Sequence, residues 1–301
     1  MKQIRAITIL TLTMLALVGC GGGGSGNADP VIQPSASDDT AAQIMARHLH
    51  EVLGLLGVNG DVHTTLSSNF EKFNLDDDLG RAVLTKTTET VPGVKPGWTG
   101  GHFKHGDKEA HVYWIPEINE NTYFYYGWWM DTDNDNGGYS LAFFVDGTTI
   151  ANEGYVSQVV SAVTGSATYA GGAAGQYAIY SRVPKAHESG DFTADVMLNA
   201  NFDTAKVSGT VTGFMVDGSE KNWSVALQEN TDGLVEDRWV LGKALWEVNG
   251  TQPNNADQDA SEYVVGFRDM DTNGVPIIAG GLFDARNGNA RMYGSFGATK
   301  Q

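Results

Sequence analysis

The feature that most constrains this fold is a strict alternation of apolar and polar residues between positions 190 and 214. The apolar positions of its first half are Phe192, Ala194, Val196, Leu198, Ala200 and Phe202. A period of two places these side chains on one face of a β-strand, whereas a helix would scatter them around its axis. A polar break at 203–205 precedes a second alternating run at 207–213. The stretch therefore predicts a long β-hairpin with one dry and one wet face.

Similar patterns recur toward the C-terminus and predict eight antiparallel strands. The predicted strands are about 164–170, 174–182, 190–202, 206–216, 221–229, 239–248, 277–285 and 289–298, with 263–268 as an extra piece in a longer insertion. Eight such strands favour closure into a small barrel filled by side chains. A membrane-spanning barrel would need an apolar outer band, but the wet face of the 190–202 strand is Thr, Asp, Met and Asn. The expected fold class is mainly β, with a soluble eight-stranded antiparallel β-barrel.

The chain upstream of the barrel predicts a smaller sheet and one helix. Residues 110–115, 123–130 and 139–145 are short aromatic and β-branched runs, which are typical of strands. Between 61 and 96 the signals are weak and favour short elements or an ordered linker. Apolar residues at spacings of three and four within 37–57 predict an N-terminal helix of about four turns.

The first 20 residues have the layout of a bacterial lipoprotein signal peptide. Lys2 and Arg5 precede an apolar run that closes on Leu17-Val18-Gly19-Cys20, the pattern of a lipobox. Because Cys20 is the single cysteine, it has no disulfide partner within the chain, and lipidation accounts for it. An ordinary cleavable signal is the alternative. Gly21, rather than an aspartate, follows Cys20, which favours the outer membrane and a lipid anchor there.

The predicted organisation has four parts: a signal peptide at 1–20, a flexible tether at 21–38, the helix and small sheet at 39–160, and the barrel at 161–301. The tether is rich in Gly, Ser and Pro. The chain carries 36 acidic and 19 basic residues, for a net charge of −17. Such a surface repels nucleic acid. The acidic residues are scattered, which favours a solvated surface over a dedicated basic partner.

An ordered set of motifs resembles one known family. The motifs are Gly165-Ser166-Ala167-Thr168-Tyr169-Ala170-Gly171, Gly175-Gln176-Tyr177, Gly190-Asp191-Phe192-Thr193-Ala194-Asp195, Val207-Ser208-Gly209-Thr210-Val211, Gly280-Gly281-Leu282-Phe283 and Tyr293-Gly294-Ser295-Phe296-Gly297-Ala298, with Tyr126-Gly127-Trp128-Trp129 upstream. Together they resemble the β-barrel domain of transferrin-binding protein B and its relatives. The resemblance covers roughly residues 123–301, in the family's order.

The resemblance implies a surface or outer-membrane lipoprotein in which a handle-like β region accompanies the barrel. The best-known members use two such lobes to capture iron-loaded transferrin for a partner outer-membrane receptor, and related single-barrel lipoproteins bind other host proteins or haem carriers. This chain has room for one barrel. The expected function is a binding module that captures an iron carrier or another protein for uptake; a surface-coat lipoprotein without a dedicated ligand is the alternative.

Two acidic loops are candidates for calcium. Asp131, Asp133 and Asp135 alternate ahead of a glycine, and Asp269-Met270-Asp271-Thr272-Asn273-Gly274 repeats the theme. Alternate oxygen ligands and a glycine turn suit Ca²⁺. The twelfth positions hold Ala142 and Gly280 instead of glutamate, and such residues are also ordinary in hairpin turns. The first loop is the stronger candidate.

Catalytic motifs are not found: the sequence contains neither Gly-x-Ser-x-Gly nor His-Glu-x-x-His, so an enzyme is not expected. His102, His105 and His111 lie near Trp98 and could hold haem or a transition metal, but His102 and Asp107 are interpreted as solvated turn residues.

The aromatic run at 123–129 has two interpretations. Its rings could be exposed anchors for a partner, or the strand could be buried between the small sheet and the barrel. Burial is favoured, because both faces of the strand are aromatic.

Overall fold

The computed structural model describes residues 63–67, 69–77, 80–119, 122–131, 140–149, 161–182, 185–229, 234–235 and 239–301. Within these ranges the strands form two antiparallel sheets, one of seven strands and one of eleven. The predicted signal peptide, Cys20, the tether and the helix at 37–57 lie outside the described residues. The boundary placed between residues 160 and 161 stays a prediction.

The first sheet, here named the handle sheet, is a meander in which each strand pairs with the next. Its strands are β1 (His63–Leu66), β2 (Lys72–Asp77), β3 (Gly80–Lys86), β4 (Thr99–His105), β5 (Lys108–Asn119), β6 (Thr122–Asp131) and β7 (Ser140–Thr149). Strands β5 to β7 confirm the small sheet expected from the aromatic runs. The weakly patterned region at 61–96 contains β1, β2 and β3.

The second sheet forms the barrel. Its strands are β8 (Ser166–Arg182), β9 (Lys185–Asn201), β10 (Lys206–Val216), β11 (Ser219–Lys221), β12 (Trp223–Leu227), β13 (Leu234–Val235), β14 (Trp239–Gly242), β15 (Ala244–Val248), β16 (Glu262–Met270), β17 (Pro276–Asn287) and β18 (Ala290–Lys300). A short helix, α1 (Asn255–Ala260), precedes β16. The hydrogen-bonded order is β13-β14-β16-β17-β18-β8-β9-β10-β12-β15, with β11 beside β10.

An interrupted strand joins the two ends of this sheet. Strands β14 and β15 are separated by Lys243 alone. Trp239 of β14 lies opposite Gly266 of β16, and Ala244 of β15 lies opposite Leu227 of β12. Counting β14 and β15 as one strand, the wall consists of β8, β9, β10, β12, β14–β15, β16, β17 and β18. The predicted eight-stranded antiparallel barrel is confirmed for the described residues.

Two of the predicted strand assignments are wrong. One adds a strand and the other omits one, so the predicted number of eight is still correct. Residues 164–170 and 174–182 are not two strands but parts of the continuous β8. A Cβ on Gly171 or Gly175 would lie 2.0 Å from a carbonyl oxygen of β18, so these glycines allow close approach of two strands instead of marking a turn. The supposed extra piece at 263–268 is β16, a full strand of the wall.

The barrel interior is filled with apolar side chains, many of them aromatic. The predicted dry face is confirmed, since Phe192, Val196 and Leu198 of β9 are all at most 2% exposed. Across the interior, the rings of Trp223 and Trp246 lie 5.3 Å apart between centroids. The described part of the barrel interior is therefore a packed apolar core.

The handle sheet packs on the outside of the barrel through one shared apolar layer, here named the seam. Phe124, Tyr126 and Trp128 of β6 meet Ala174 of β8 and Tyr293 of β18 in this layer. The alternate residues of β6, Tyr125 and Trp129, join a separate core within the handle sheet. Strand β6 is consequently buried on both faces.

The seam also contains a buried ion pair. Arg291 Nε and Nη2 donate to Asp284 Oδ1 and Oδ2 at 3.1 and 2.6 Å, and both side chains are at most 4% exposed. The Arg291 guanidinium lies 4.5 Å from the ring centroid of Tyr293, which stacks on Phe143 of the handle sheet. The two hydrogen bonds compensate the buried negative charge of Asp284, and the stacked rings hold β7 against β18.

Candidate functional site

The aromatic side chains between Phe124 and Trp129 do not provide a binding surface. Phe124, Tyr125, Tyr126, Trp128 and Trp129 are all at most 2% exposed. The favoured interpretation, burial between the small sheet and the barrel, is confirmed.

One side of the barrel is left uncovered by the handle sheet, and its outward residues define a surface here named the bare wall. These residues are Met197 and Asn199 of β9, Ser208, Thr210 and Thr212 of β10, and Ser224 and Ala226 of β12. Backbone pairing places Met197 opposite Thr210 and Thr210 opposite Ala226, so the three form one row across the strands. Met197, Asn199, Thr210 and Ala226 pair with strands on both sides, and the other three residues pair with a strand on one side, so the wall is part of the regular sheet.

The seven residues that define the bare wall are uncharged, and the acidic Asp195 and Glu247 lie on the same face at its ends, opposite Thr212 and Ser224. Charged groups lie around it instead. Lys221 Nζ lies 2.9 Å from Glu188 Oε1, Lys206 pairs with Glu229, and Asp195 pairs with Lys95. A centre depleted of charge within a charged rim is the typical anatomy of a protein interface.

Two methionines project from this side of the barrel. Met197 is 53% exposed, and Met215 near the end of β10 is 38% exposed. Methionine side chains are flexible and polarisable, and they adapt to irregular partner surfaces. Met215 points outward because the pairing of β9 with β10 shifts between Thr212 and Met215, where Gly213 has a φ of +61°. The alternation of the sequence alone would place Met215 inside.

A second cluster of polar side chains lies at the edge of the seam. His102 of β4 is directly opposite His111 of β5, and their ring centroids are 5.2 Å apart. Nδ1 of His102 lies 2.9 Å from Glu89 Oε2, and its Nε2 lies 3.4 Å from Glu109 Oε2. The interpretation of His102 as a solvated turn residue is wrong, because it is 5% exposed within a strand. Asp107, by contrast, is exposed in the turn before β5.

The barrel contributes Asp191 to this cluster. Its Oδ2 lies 3.8 Å from His111 Nδ1, and its Oδ1 accepts a hydrogen bond from Gln176 Nε2 at 2.5 Å. Partial burial raises the pKa of Asp191 to about 6 against the effect of that hydrogen bond, with a smaller contribution from Glu109. Burial, followed by the charge of His102, lowers the pKa of His111 to about 3, so His111 is neutral at physiological pH.

These residues do not form a metal centre in the structure. Within the described part of the chain, no group of three or more His, Cys, Asp or Glu side chains is arranged to hold a metal ion. His105, the third histidine of the predicted cluster, is exposed at the end of β4.

The first acidic loop is only partly within the described residues, whereas the second lies entirely within them. Asp131 ends β6, is 7% exposed and pairs with Lys108, whereas Asp133 and Asp135 lie outside the described residues. The calcium loop thus stays a prediction, and an unchanged melting temperature in millimolar Ca²⁺ or chelator would argue against it. In the second loop, Asp271 Oδ1 accepts from the N–H groups of Asn273 and Val275, the pattern of a hairpin turn.

The anchor prediction also concerns residues that the structure does not describe. Cys20, the predicted lipidation site, lies among them. In the described part of the chain, no helix is long and apolar enough to cross a membrane.

Solved structures of transferrin-binding protein B are similar to this chain. The isotype 1 protein from serogroup B Neisseria meningitidis is 16% identical, with a TM-score of 0.41, over 80% of this chain and 43% of that protein. A double mutant of the vaccine antigen from Haemophilus parasuis Hp5 is 13% identical, with a TM-score of 0.42, over 76% of this chain and 40% of that one. Intact Ap-TbpB, with N and C lobes, is 14% identical, with a TM-score of 0.41, over 80% and 46%.

The chain spans less than half the length of these proteins. No protein-family model matches the chain, and no curated protein matches it. The resemblance to transferrin-binding protein B expected from the sequence therefore recurs as a similarity to its solved structures, and those named proteins bind transferrin.

Proposed function

We propose that this chain is a binding module, anchored by a lipid on Cys20 to the outer membrane, that captures an iron-carrying protein on the bare wall. The observation that carries the proposal is an uncharged, half-exposed wall on one side of a strongly acidic chain. The packed barrel interior supports a role as scaffold, so the ligand is expected to bind the outside.

The charges around the bare wall define the chemistry of the partner. The side chains of Asp195, Glu188 and Glu229 are 60%, 51% and 55% exposed, and Asp217 in the turn after β10 and Glu220 on β11 are exposed too. Lys95, Lys206 and Lys221 pair with Asp195, Glu229 and Glu188, so Asp217 and Glu220 leave the rim with a net negative charge. A fitting partner is a folded protein that presents an uncharged patch surrounded by Lys and Arg side chains. Such complementarity speeds association and falls with increasing salt.

The direct test is binding of the mature chain, starting at Gly21, to iron-loaded transferrin and to a haem-carrying protein. Saturable binding by either probe is expected, weakening as salt is raised. Substitution of Met197→Asp should lower affinity at least tenfold, because it buries a carboxylate in the interface.

The control is Val83→Asp, since Val83 is 47% exposed on β3 of the handle sheet. This variant should bind as the wild type does, and both variants should keep their melting temperatures. Absence of saturable binding would overturn capture and favour the surface-coat alternative. Equal losses of affinity in Met197→Asp and Val83→Asp would show that the bare wall is not the binding site.

Display on the cell surface is a separate part of the proposal. Protease treatment of intact cells should cleave the protein, whereas full protection would place it on the periplasmic side. Substitution of Cys20→Ser should release it from the membrane, because the thiol that receives the lipid is gone.

A further inference from the structure

A connecting segment between β3 and β4 lies across both sheets, and residues 87–98 are here named the strap. Val91 and Trp98 are buried in the seam. The Tyr113 hydroxyl donates to the carbonyl oxygen of Pro92 at 3.0 Å, and Lys95 pairs with Asp195 of β9. The strap is therefore held by the handle sheet at one point and by the barrel at another.

His102 holds the beginning of the strap. Its Nδ1 lies 3.1 Å from the Thr87 hydroxyl and 2.9 Å from the Glu89 carboxylate, both on the strap. Its Nε2 is buried 3.4 Å from the Glu109 carboxylate and makes no hydrogen bond. A neutral imidazole offers one N–H, whereas an imidazolium offers two. Only the protonated ring can donate toward both carboxylates at once.

The charged groups around His102 and His111 favour one positive charge on this pair of imidazoles and disfavour two. His111 faces it from the same sheet, and a second positive charge there would be repelled. Asp191 faces it from the barrel, with Asp217 farther along and Gln176 as its hydrogen-bond donor. On β5 and β6, Lys108 is neutralised by Asp131. Glu89, Glu109 and Asp191 thus surround the two imidazoles with negative charge.

We propose that the strap is a pH-sensitive latch, in which protonation of His102 ties Glu89 of the strap to Glu109 of β5. Protonation of the imidazole supplies the second N–H that the two carboxylates require. Protonation tightens the strap, and deprotonation leaves a lone pair facing one carboxylate and loosens it. Because Lys95 of the strap pairs with Asp195, the latch also controls a charge at the rim of the bare wall. The proposal stands independently of what that wall binds.

Hydrogen exchange of strap amides tests the latch. After correction for intrinsic exchange rates, the hydrogen-bonded strap amides of Thr87, Glu89 and Trp98 should be about tenfold more protected at pH 5.5 than at pH 7.5 in the wild type. The His102→Gln variant should lose this pH dependence, since glutamine cannot gain a proton. Protection in β8 to β10 reports the global stability, which the buried His111 lowers on acidification, so a gain in protection confined to the strap is what identifies the latch.

The matched control is His105→Gln, because His105 is exposed at the end of the same strand. It should keep the wild-type pH dependence. The Glu109→Gln variant leaves His102 in place, and it should shrink the effect even where His102→Gln fails to fold. Strap protection that is equal at both pH values in the wild type, or that changes equally in Glu109→Gln and wild type, would overturn the latch.

Discussion

Gly297 of β18 is the residue at which the barrel makes room for the handle sheet. A Cβ there would lie 2.5 Å from Trp98, 2.6 Å from Phe124 and 2.7 Å from Tyr126. These rings are packed in the seam and have little freedom to move aside. The Gly297→Ala variant should therefore lose about 1–3 kcal/mol of unfolding free energy by urea denaturation.

Gly190 of β9 provides the control for this substitution. A Cβ at Gly190 would lie 3.7 Å from the Tyr177 ring, an ordinary contact. The Gly190→Ala variant should be neutral or slightly more stable, because alanine loses less backbone entropy than glycine on folding. A loss in Gly190→Ala as large as in Gly297→Ala would contradict the steric explanation.

Single residues were predictable from the sequence to different degrees. The inward position of Phe192 follows from alternation alone, because the dry face of a strand has a period of two. The burial of His102 was missed, although a signal exists. Gly106 and Asp107 form a two-residue turn, which places His105 opposite Lys108 and hence His102 opposite His111. Which face of that hairpin meets the barrel depends on tertiary packing and is not encoded locally.

The interrupted strand β14–β15 closes the barrel, and its inward and outward residues should differ sharply in importance. Trp246 is 0% exposed inside the barrel, whereas Leu241 is 43% exposed outside. The Trp246→Ala variant should lose about 3–5 kcal/mol of unfolding free energy, since it opens a cavity beside Trp223. Leu241→Ala should change stability by less than about 0.5 kcal/mol.

Chemical denaturation monitored by circular dichroism measures both variants. The Trp246→Phe variant is a useful intermediate, because Nε1 of Trp246 is buried and makes no hydrogen bond. It should retain more stability than Trp246→Ala. Similar losses for Trp246→Ala and Leu241→Ala would mean that this strand does not close a packed interior.

Elements were predictable where one face is wet and the other dry. Strand β10 was predicted at the bounds that the structure shows, Lys206–Val216, because alternation and a turn define it. Strand β8 was divided in two, since its glycines suggest a turn when the neighbouring strand is unknown. Strand β6 has no polar face. One of its faces packs on the barrel and the other lies in the core of the handle sheet, and neither contact can be inferred from the sequence of β6 alone. Local patterns therefore predict strands better than they predict which sheets meet.

At the scale of the whole molecule, His111 should make stability fall on acidification. Burial and the charge of His102 lower its pKa from 6.5 to about 3, so the unfolded chain binds a proton that the folded chain rejects. Folding stability is therefore lost as pH falls below about 6.5. Between pH 7 and pH 5 this loss is about 2 kcal/mol, and it should be absent from His111→Gln.

Urea denaturation of wild type and His111→Gln across this pH range measures the difference. Asp191 acts in the opposite direction, because its raised pKa favours the folded state at low pH and that contribution is lost above about pH 6. Asp191 is present in both proteins, so its effect largely cancels in the comparison. The exposed His105→Gln variant should follow the wild type, and parallel curves for wild type and His111→Gln would contradict the prediction.

The shared seam also has a consequence for how such a chain can be divided or recombined. A fragment beginning at residue 161 would keep every strand of the barrel wall but would expose Gly297, Ala174 and Tyr293 to water. A fragment ending before it would leave Phe124, Tyr126 and Trp128 without the surface they cover. Exchange of either sheet between related chains would then succeed only when the glycines of the barrel and the aromatic rings of the handle sheet are kept together.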